Sequence, residues 1–349
     1  MQTVHALHLP VRPEWLALRD EPVLEPELAI VDAHHHLWDR QTGRYLADEF
    51  GADVRGGHRI VSTVYVQCRS MLRASGPEAF KPVGEVAFAS GIAAMFDSGA
   101  YGPTRCCEAI VGGADLSLGA ELDAVLDTML QVSGGRLRGI RNPLAWHASP
   151  DVRSSPVTPP RDRMSEQAFR QGVTTLGRYG LSLDAWVYHT QLDDLYELAR
   201  ASEDVVVVVI DHFGGPVGVG PHAGRRAEVH AQWKRQLARL AALPNTRMKL
   251  GGAGMTVFGF DFAARALPPS SQDLAAAWQP YFDTCVELFG VDRCMFESNF
   301  PVDKGMFGYR VLWNAFKRLT SAMSVDEKAA LFSRTAASTY RVAIPGDSP

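Results

Sequence analysis

Val205-Val206-Val207-Val208-Val209-Ile210-Asp211-His212-Phe213-Gly214-Gly215 runs six apolar residues straight into an acid, an imidazole and two glycines. Uninterrupted β-branched residues suit a parallel strand covered on both faces, which shows no polar alternation. The abrupt polar end suits a strand that stops at a cavity. The glycines let the backbone turn tightly while His212 enters that cavity. Seven further runs have strand character: Ala29–His34, Ile60–Gln67, Ala109–Asp115, Leu137–Pro143, Leu181–Tyr188, Arg247–Leu250 and Cys294–Ser298. Helical spacing of apolar residues falls between them, over Asp123–Gln131, Ser165–Tyr179, Leu192–Ala201 and Ala227–Leu243. Ser324 and Glu327 form a capping-box signature for a last helix running towards Tyr340. Eight strands alternating with helices predict an α/β fold of the (β/α)8 TIM-barrel type. An open doubly wound sheet is the competitor, but no G-x-G-x-x-G follows any of the strands. The barrel is expected over residues 28–342, with an N-terminal extension at 1–27 packed on it and a short tail at 343–349.

The composition narrows the partners. The chain has 349 residues, 46% of them hydrophobic, and a net charge of −4. That balance argues against nucleic acid or an anionic membrane as partner. No apolar stretch reaches the about 20 residues of a membrane span. Five cysteines without a C-x-x-C spacing read as free thiols in a reducing cytoplasm. The adjacent Cys106 and Cys107 are poorly placed to bridge each other. The expected partner is a small molecule, with homo-oligomers left open.

In a barrel the strand ends converge on one mouth. Val31-Asp32-Ala33-His34-His35-His36-Leu37-Trp38 closes the first strand. Alternation puts His34 and His36 on one face and His35 on the other. Imidazoles there suit metal binding or proton transfer. His212 joins them from the sixth strand, and His189 follows the fifth. Gln67 and Arg69 end the second strand, Arg141 and Asn142 the fourth. Lys249 lies on the seventh, and Glu297, Asn299 and Asp303 stand at or beyond the eighth. His147, His222 and His230 read as loop or helix-surface residues. Arg69, Arg141 and Lys249 make the mouth basic, which suits a carboxylate substrate or a substrate that opens to one. Trp38, Tyr188 and Phe300 are candidates for a wall against a sugar or aromatic ring. The loops Ala148–Asp162 and Gly251–Ser271 fall on the same side and are expected to act as lids or pocket walls.

Asp32-Ala33-His34-His35-His36-Leu37-Trp38, Gly139-Ile140-Arg141, Asp211-His212-Phe213-Gly214 and Met295-Phe296-Glu297-Ser298-Asn299-Phe300-Pro301-Val302 occur in that order. The set resembles the amidohydrolase superfamily, in the amidohydrolase-2 branch that contains sugar lactonases and pyrone-dicarboxylate lactonases. The resemblance implies a (β/α)8 barrel and hydrolysis by an activated water. It implies a site made of the first-strand histidines, a later histidine and a last-strand carboxylate. His34, His36 and His212 match by motif, and His189 by position.

The last strand departs from the pattern. The family usually has Gly-Ser-Asp-Trp-Pro where this chain has Glu297-Ser298-Asn299-Phe300-Pro301. An amide takes no proton from water and is a poor ligand. Glu297 shares a face with Asn299, roughly 7 Å deeper along the strand. The expectation is that Glu297 supplies the missing carboxylate, as base or metal ligand, with Asp303 as second candidate. Arg141 stands where binuclear members carry a bridging lysine, and a guanidinium does not bridge metals. His34, His36, His212 and Glu297 therefore suit one divalent ion, zinc first, with a position open for water. A metal-free route, with imidazoles and Arg141 polarising the carbonyl, stands equally beside it. Three readings follow: a hydrolase opening a small lactone or cyclic ester, a metal-dependent decarboxylase of an aromatic or unsaturated acid, and a non-catalytic small-molecule binding protein.

Overall fold

The computed structural model describes residues 8–40 and 43–344. Eight parallel strands follow one another around one sheet: β1 Ile30–His35, β2 Ile60–Val66, β3 Arg105–Gly113, β4 Leu137–Arg141, β5 Ser182–Ala185, β6 Val208–Ile210, β7 Thr246–Leu250 and β8 Cys294–Phe296. The ends of the sheet meet. Asn299 N donates to His34 O at 2.8 Å, His36 N donates to Phe300 O at 2.7 Å, and Ser298 N donates to the Asp32 carboxylate at 2.8 Å. A helix follows each strand: α1 Ala47–Val54, α2 Val83–Asp97, α3 Glu121–Val132, α4 Gln167–Arg178, α5 Leu192–Ala201, α6 Arg226–Ala241, α7 Ser271–Phe289 and α8 Tyr309–Leu319. The expected (β/α)8 barrel is therefore the observed fold.

The eight expected strands all form, with differences at their ends. Only Val208–Ile210 of the apolar run enters the sheet, and those residues are fully buried; Val205 and Val207 are 48% and 36% exposed. β3 begins four residues earlier than the pattern suggested. Its pairing passes from Ser62↔Arg105 to Val64↔Ala109, so β3 carries two additional residues in a bulge. β1 also shifts register between Asp32 and His35.

Two apolar layers result. Val31, Ala33, Val64, Val66, Val111, Val209 and Met295 pack inside the barrel against Ala336, Ala337 and Tyr340 of the C-terminal helix Thr335–Tyr340, which plugs the end away from the mouth. The larger layer lies between strands and helices. The apolar helix α2 belongs to that layer, where its Val86, Ala89, Ala93 and Phe96 are buried. The capping box is present, with Ser324 Oγ accepting from Glu327 N at 3.3 Å. The helix it starts is interrupted by a π-turn at Ala330–Arg334.

The N-terminal segment, described from His8, crosses the β7–α7 loop and α8. Arg12 donates to Ala263 O at 2.7 Å, and Leu24 N donates to Asn314 Oδ1 at 2.9 Å. Of the expected tail, residues 345–349 lie outside the described residues.

Candidate active site

β1 delivers two imidazoles to the mouth. His34 Nε2 and His36 Nε2 lie 3.2 Å apart, and the His34 ring centroid is 4.6 Å from that of His212. Their protonation follows from what they touch. His36 Nδ1 is 2.7 Å from the Val66 carbonyl, which only accepts, so Nδ1 carries the hydrogen. His212 Nδ1 is 2.6 Å from Glu297 Oε1, and His34 Nδ1 is 3.0 Å from Glu297 Oε2. An ionised carboxylate also only accepts. Burial opposes that ionisation, yet His212 and His34 hold the Glu297 carboxyl down to about 2. His36 and His212 therefore carry hydrogen on Nδ1 and a lone pair on Nε2. Burial, with Lys249 beside His34 and Arg141 beside His36, keeps both imidazoles well below their ordinary pKa and so neutral.

A buried ionic chain underlies the histidines. Lys249 Nζ lies 2.7 Å from Asp184 Oδ2, 3.1 Å from Asp211 Oδ1 and 3.2 Å from His34 Nδ1. Burial disfavours its charge, but Asp184 and Asp211 raise its pKa and keep it an ammonium. Arg141 reaches Asp211 Oδ2 at 3.6 Å and His34 Nε2 at 3.3 Å, and donates to the Gln67 carbonyl. Tyr340 OH donates to Asp184 Oδ2 at 2.5 Å.

The cavity above is lined by His36, His212, Asn299, Trp38 and three arginines, Arg40, Arg69 and Arg141. Among the described residues no Asp or Glu lines it. Ser154 to Val157 and Pro159 form one wall, so the first long loop does shape the pocket; the second contributes Met255. Four residues expected on the substrate wall lie behind it. Lys249 is fully buried in its ion pairs. Tyr188 is buried, with its OH 2.7 Å from Ser154 Oγ. Phe300 packs on Tyr309 with ring centroids 5.1 Å apart. His189 Nδ1 accepts from Val217 N at 3.2 Å, and its ring meets His222, which itself pairs with His147 Nε2 at 3.2 Å. Glu297 and Asp303 are also off the wall. Asp303 accepts from Asn299 Nδ2 at 2.8 Å and from Gly254 N at 2.9 Å, and burial pushes its carboxyl well above the usual range.

Sequence reasoning missed Trp186, whose ring stands 4.8 Å from that of His212 and whose Nε1 donates to Ser154 Oγ at 2.9 Å. Alternation from Asp184 on β5 was the signal available for it. Arg40 and His8 were also missed. His8 stacks on Trp38 at 5.6 Å, and both line the cavity.

The donor set fits one divalent ion. His34 Nε2 and His36 Nε2 stand 3.2 Å apart at the mouth. The spacing matches the about 3.3 Å between two nitrogens on a tetrahedral zinc. Glu297 Oε2 and both Asp211 carboxylate oxygens are buried acceptors without a hydrogen bond. Ligand atoms of His34, His212 and Glu297 all lie within 4.8 Å of one another.

Comparison with known proteins agrees with this geometry. Residues 31–342 match the family described as amidohydrolase. The chain is 31% identical to the y4mH protein of Sinorhizobium fredii over 332 residues, covering 90% of this chain and 99% of that one. It is 27% identical to the L-fucono-1,5-lactonase of Burkholderia multivorans over 329 residues, covering 91% and 98%. The crystal structure of an amidohydrolase from Burkholderia multivorans with bound zinc superposes with a TM-score of 0.69 at 25% identity, covering 90% and 99%. With its barrel, its ordered histidines and a match over nearly its whole length, the chain belongs to the amidohydrolase family, in the amidohydrolase-2 branch.

Proposed function

We propose that this chain hydrolyses a small lactone by attack of water on the ring carbonyl. The observation that carries the reading is the convergence of His34, His36 and His212 at the mouth, with the Nδ1 hydrogens of His36 and His212 fixed by Val66 O and Glu297 so that their Nε2 lone pairs are left for chemistry. The likeness to a lactonase over nearly the whole chain supports it. His34 and His36 would hold one divalent ion, zinc first, which would supply Lewis acidity toward water and the ester carbonyl, while His212 Nε2 stays free to act as base. His212 Nε2 takes the proton of the attacking water. Glu297, 2.6 Å from His212 Nδ1, stabilises the resulting imidazolium. As the new C–O bond forms and the ring C–O bond breaks, His212 returns the proton to the departing ring oxygen. Arg141 holds the charge that develops on the carbonyl oxygen and then on the product carboxylate.

This assigns Glu297 as a positioning carboxylate, in place of the base or fourth ligand expected from the sequence, because both its oxygens already face histidine Nδ1 atoms. Asp303 is likewise set aside as base, since it is closed off behind Asn299. Glu297→Gln is expected to lower kcat about 10–100-fold, and metal affinity by a similar factor, at little change in KM. Unchanged turnover would end the assignment. The reaction itself is tested with a panel of sugar lactones and aromatic acids, following proton release, with metal content and activity measured before and after chelation. Turnover of at least one lactone is expected. Carbon dioxide release without lactone opening would make the protein a decarboxylase. Ligand-induced stabilisation with no turnover would leave a binding protein.

A further inference from the structure

The face of β1 turned away from the mouth carries a second cluster. His35 points outward and stacks on Phe50 of α1, with ring centroids 4.2 Å apart. Across β2, Cys106 and Cys107 of β3 approach it, and all three residues are at most 1% exposed. Adjacent strand residues ordinarily point to opposite faces. Here the two-residue bulge and a φ of +52° at Cys107 bring both sulfurs together. Cys106 Sγ and Cys107 Sγ are 3.4 Å apart, and Cys107 Sγ is 4.0 Å from His35 Nε2. A positive φ at a residue other than glycine is uncommon, and strain of this kind clusters at functional sites.

We propose that His35, Cys106 and Cys107 form a second metal site, which takes one divalent thiophilic d10 cation of the zinc and cadmium class. Ligand atoms of the three lie within 4.8 Å of one another. Two sulfurs and an imidazole are the soft-to-borderline donors such ions select. The charges balance in a buried place. Binding releases one proton from each thiol, and two thiolates cancel the 2+ charge beside a neutral imidazole. Its Nε2 is the unprotonated ring nitrogen, and an ion would take the lone pair that the Thr63 hydroxyl now faces. Thr63 Oγ1 accepts from the Cys107 amide at 2.9 Å, so its own hydrogen is free to point to His35 Nε2, 2.9 Å away. The site uses none of the residues assigned to hydrolysis and stands or falls independently of that reading.

The test uses the full chain, stripped with a chelator under reducing conditions and titrated with Cd²⁺, both as the native protein and after refolding with the ion present. A thiolate-to-cadmium charge-transfer band in the ultraviolet is expected to saturate at one equivalent. Cys106→Ser and Cys107→Ser should each abolish it. His212→Asn and Cys68→Ser, on the cavity side, should leave it in place. His35→Phe keeps a ring on Phe50 and should weaken cadmium binding at least 10-fold with an unchanged circular dichroism spectrum; it decides alone if the serine variants fail to fold. Absence of the band under both conditions overturns the proposal. So does its survival when both cysteines are replaced, its loss in Cys68→Ser, or unaltered affinity in His35→Phe.

Discussion

Asn299 is held by the acid it faces. Its Nδ2 donates to Asp303 Oδ1 at 2.8 Å, and its amide donates to His34 O. Restoring the carboxylate the family usually has at this place would set two buried carboxyls against each other, and like charges at that distance cannot both ionise. Asn299→Asp is therefore expected to lower the unfolding free energy by about 1–3 kcal/mol, read as a fall in denaturation midpoint. Adding Asp303→Asn should return most of the loss, because the amide–carboxylate pair is remade in reverse. If the double variant is no more stable than the single, the pairing is not what holds Asn299. The substitution was visible in the sequence, but its partner was not. Asp303 reaches Asn299 only because the chain folds into a helical turn directly after β8.

Elements decide which side chains share a space. Alternation along β1 correctly separated His35 from His34 and His36. The bulges were not legible, because a bulge is a property of pairing between strands and leaves no residue pattern on one of them. The end of β7 shows a second such dependence. A Cβ on Gly252, where φ is +70°, would lie 2.4 Å from His212 Nδ1. Gly252→Ala should thus displace His212 from Glu297. A loss of at least about 100-fold in kcat is expected from misplacement of about 1 Å, far outweighing any change in substrate binding. Activity close to that of the parent would show that His212 tolerates the shift.

At α8, His58 Nδ1 accepts from Lys317 Nζ at 2.9 Å, and His58 Nε2 donates to Arg310 O at 3.1 Å. Burial, with Lys317 beside it, lowers the His58 pKa from 6.5 to about 4. The unfolded chain therefore binds the proton more readily, so this contribution is complete above pH 6.5 and is lost as pH falls through about 4. Thermal melts should show a drop in that window on the order of 3 kcal/mol at most. His58→Gln should flatten it, and an identical pH profile in the variant would rule this histidine out.

Over the whole molecule, both ends of the described chain close the barrel. His8 stacks on Trp38 at the mouth, and Tyr340 enters from the opposite end. The Tyr340 hydroxyl donates to Asp184, which also accepts from Lys249 and Ser182, and Lys249 lies 5.3 Å from the Tyr340 ring centroid. Tyr340→Phe keeps the packing and removes that hydrogen bond, for an expected loss of about 1–3 kcal/mol of stability in denaturant unfolding. A loss below a few tenths would mean that Lys249 and Ser182 satisfy Asp184 without the tyrosine.

The barrel, its eight strands and the three histidines at its mouth were legible in the chain of residues alone. Those follow from local periodicity and from residue types that must stand at strand ends, and both are written in consecutive positions. What the acids do became readable only in the folded molecule. Glu297 orients two imidazoles, Asp211 and Asp184 hold Lys249, and Asp303 supports Asn299. Each of those pairings joins side chains from different elements, at distances set by strand register, bulges and barrel closure. In a buried site a carboxylate's role is fixed by the one or two groups within 3 Å of it. Spacing along the chain carries no information about which groups those are.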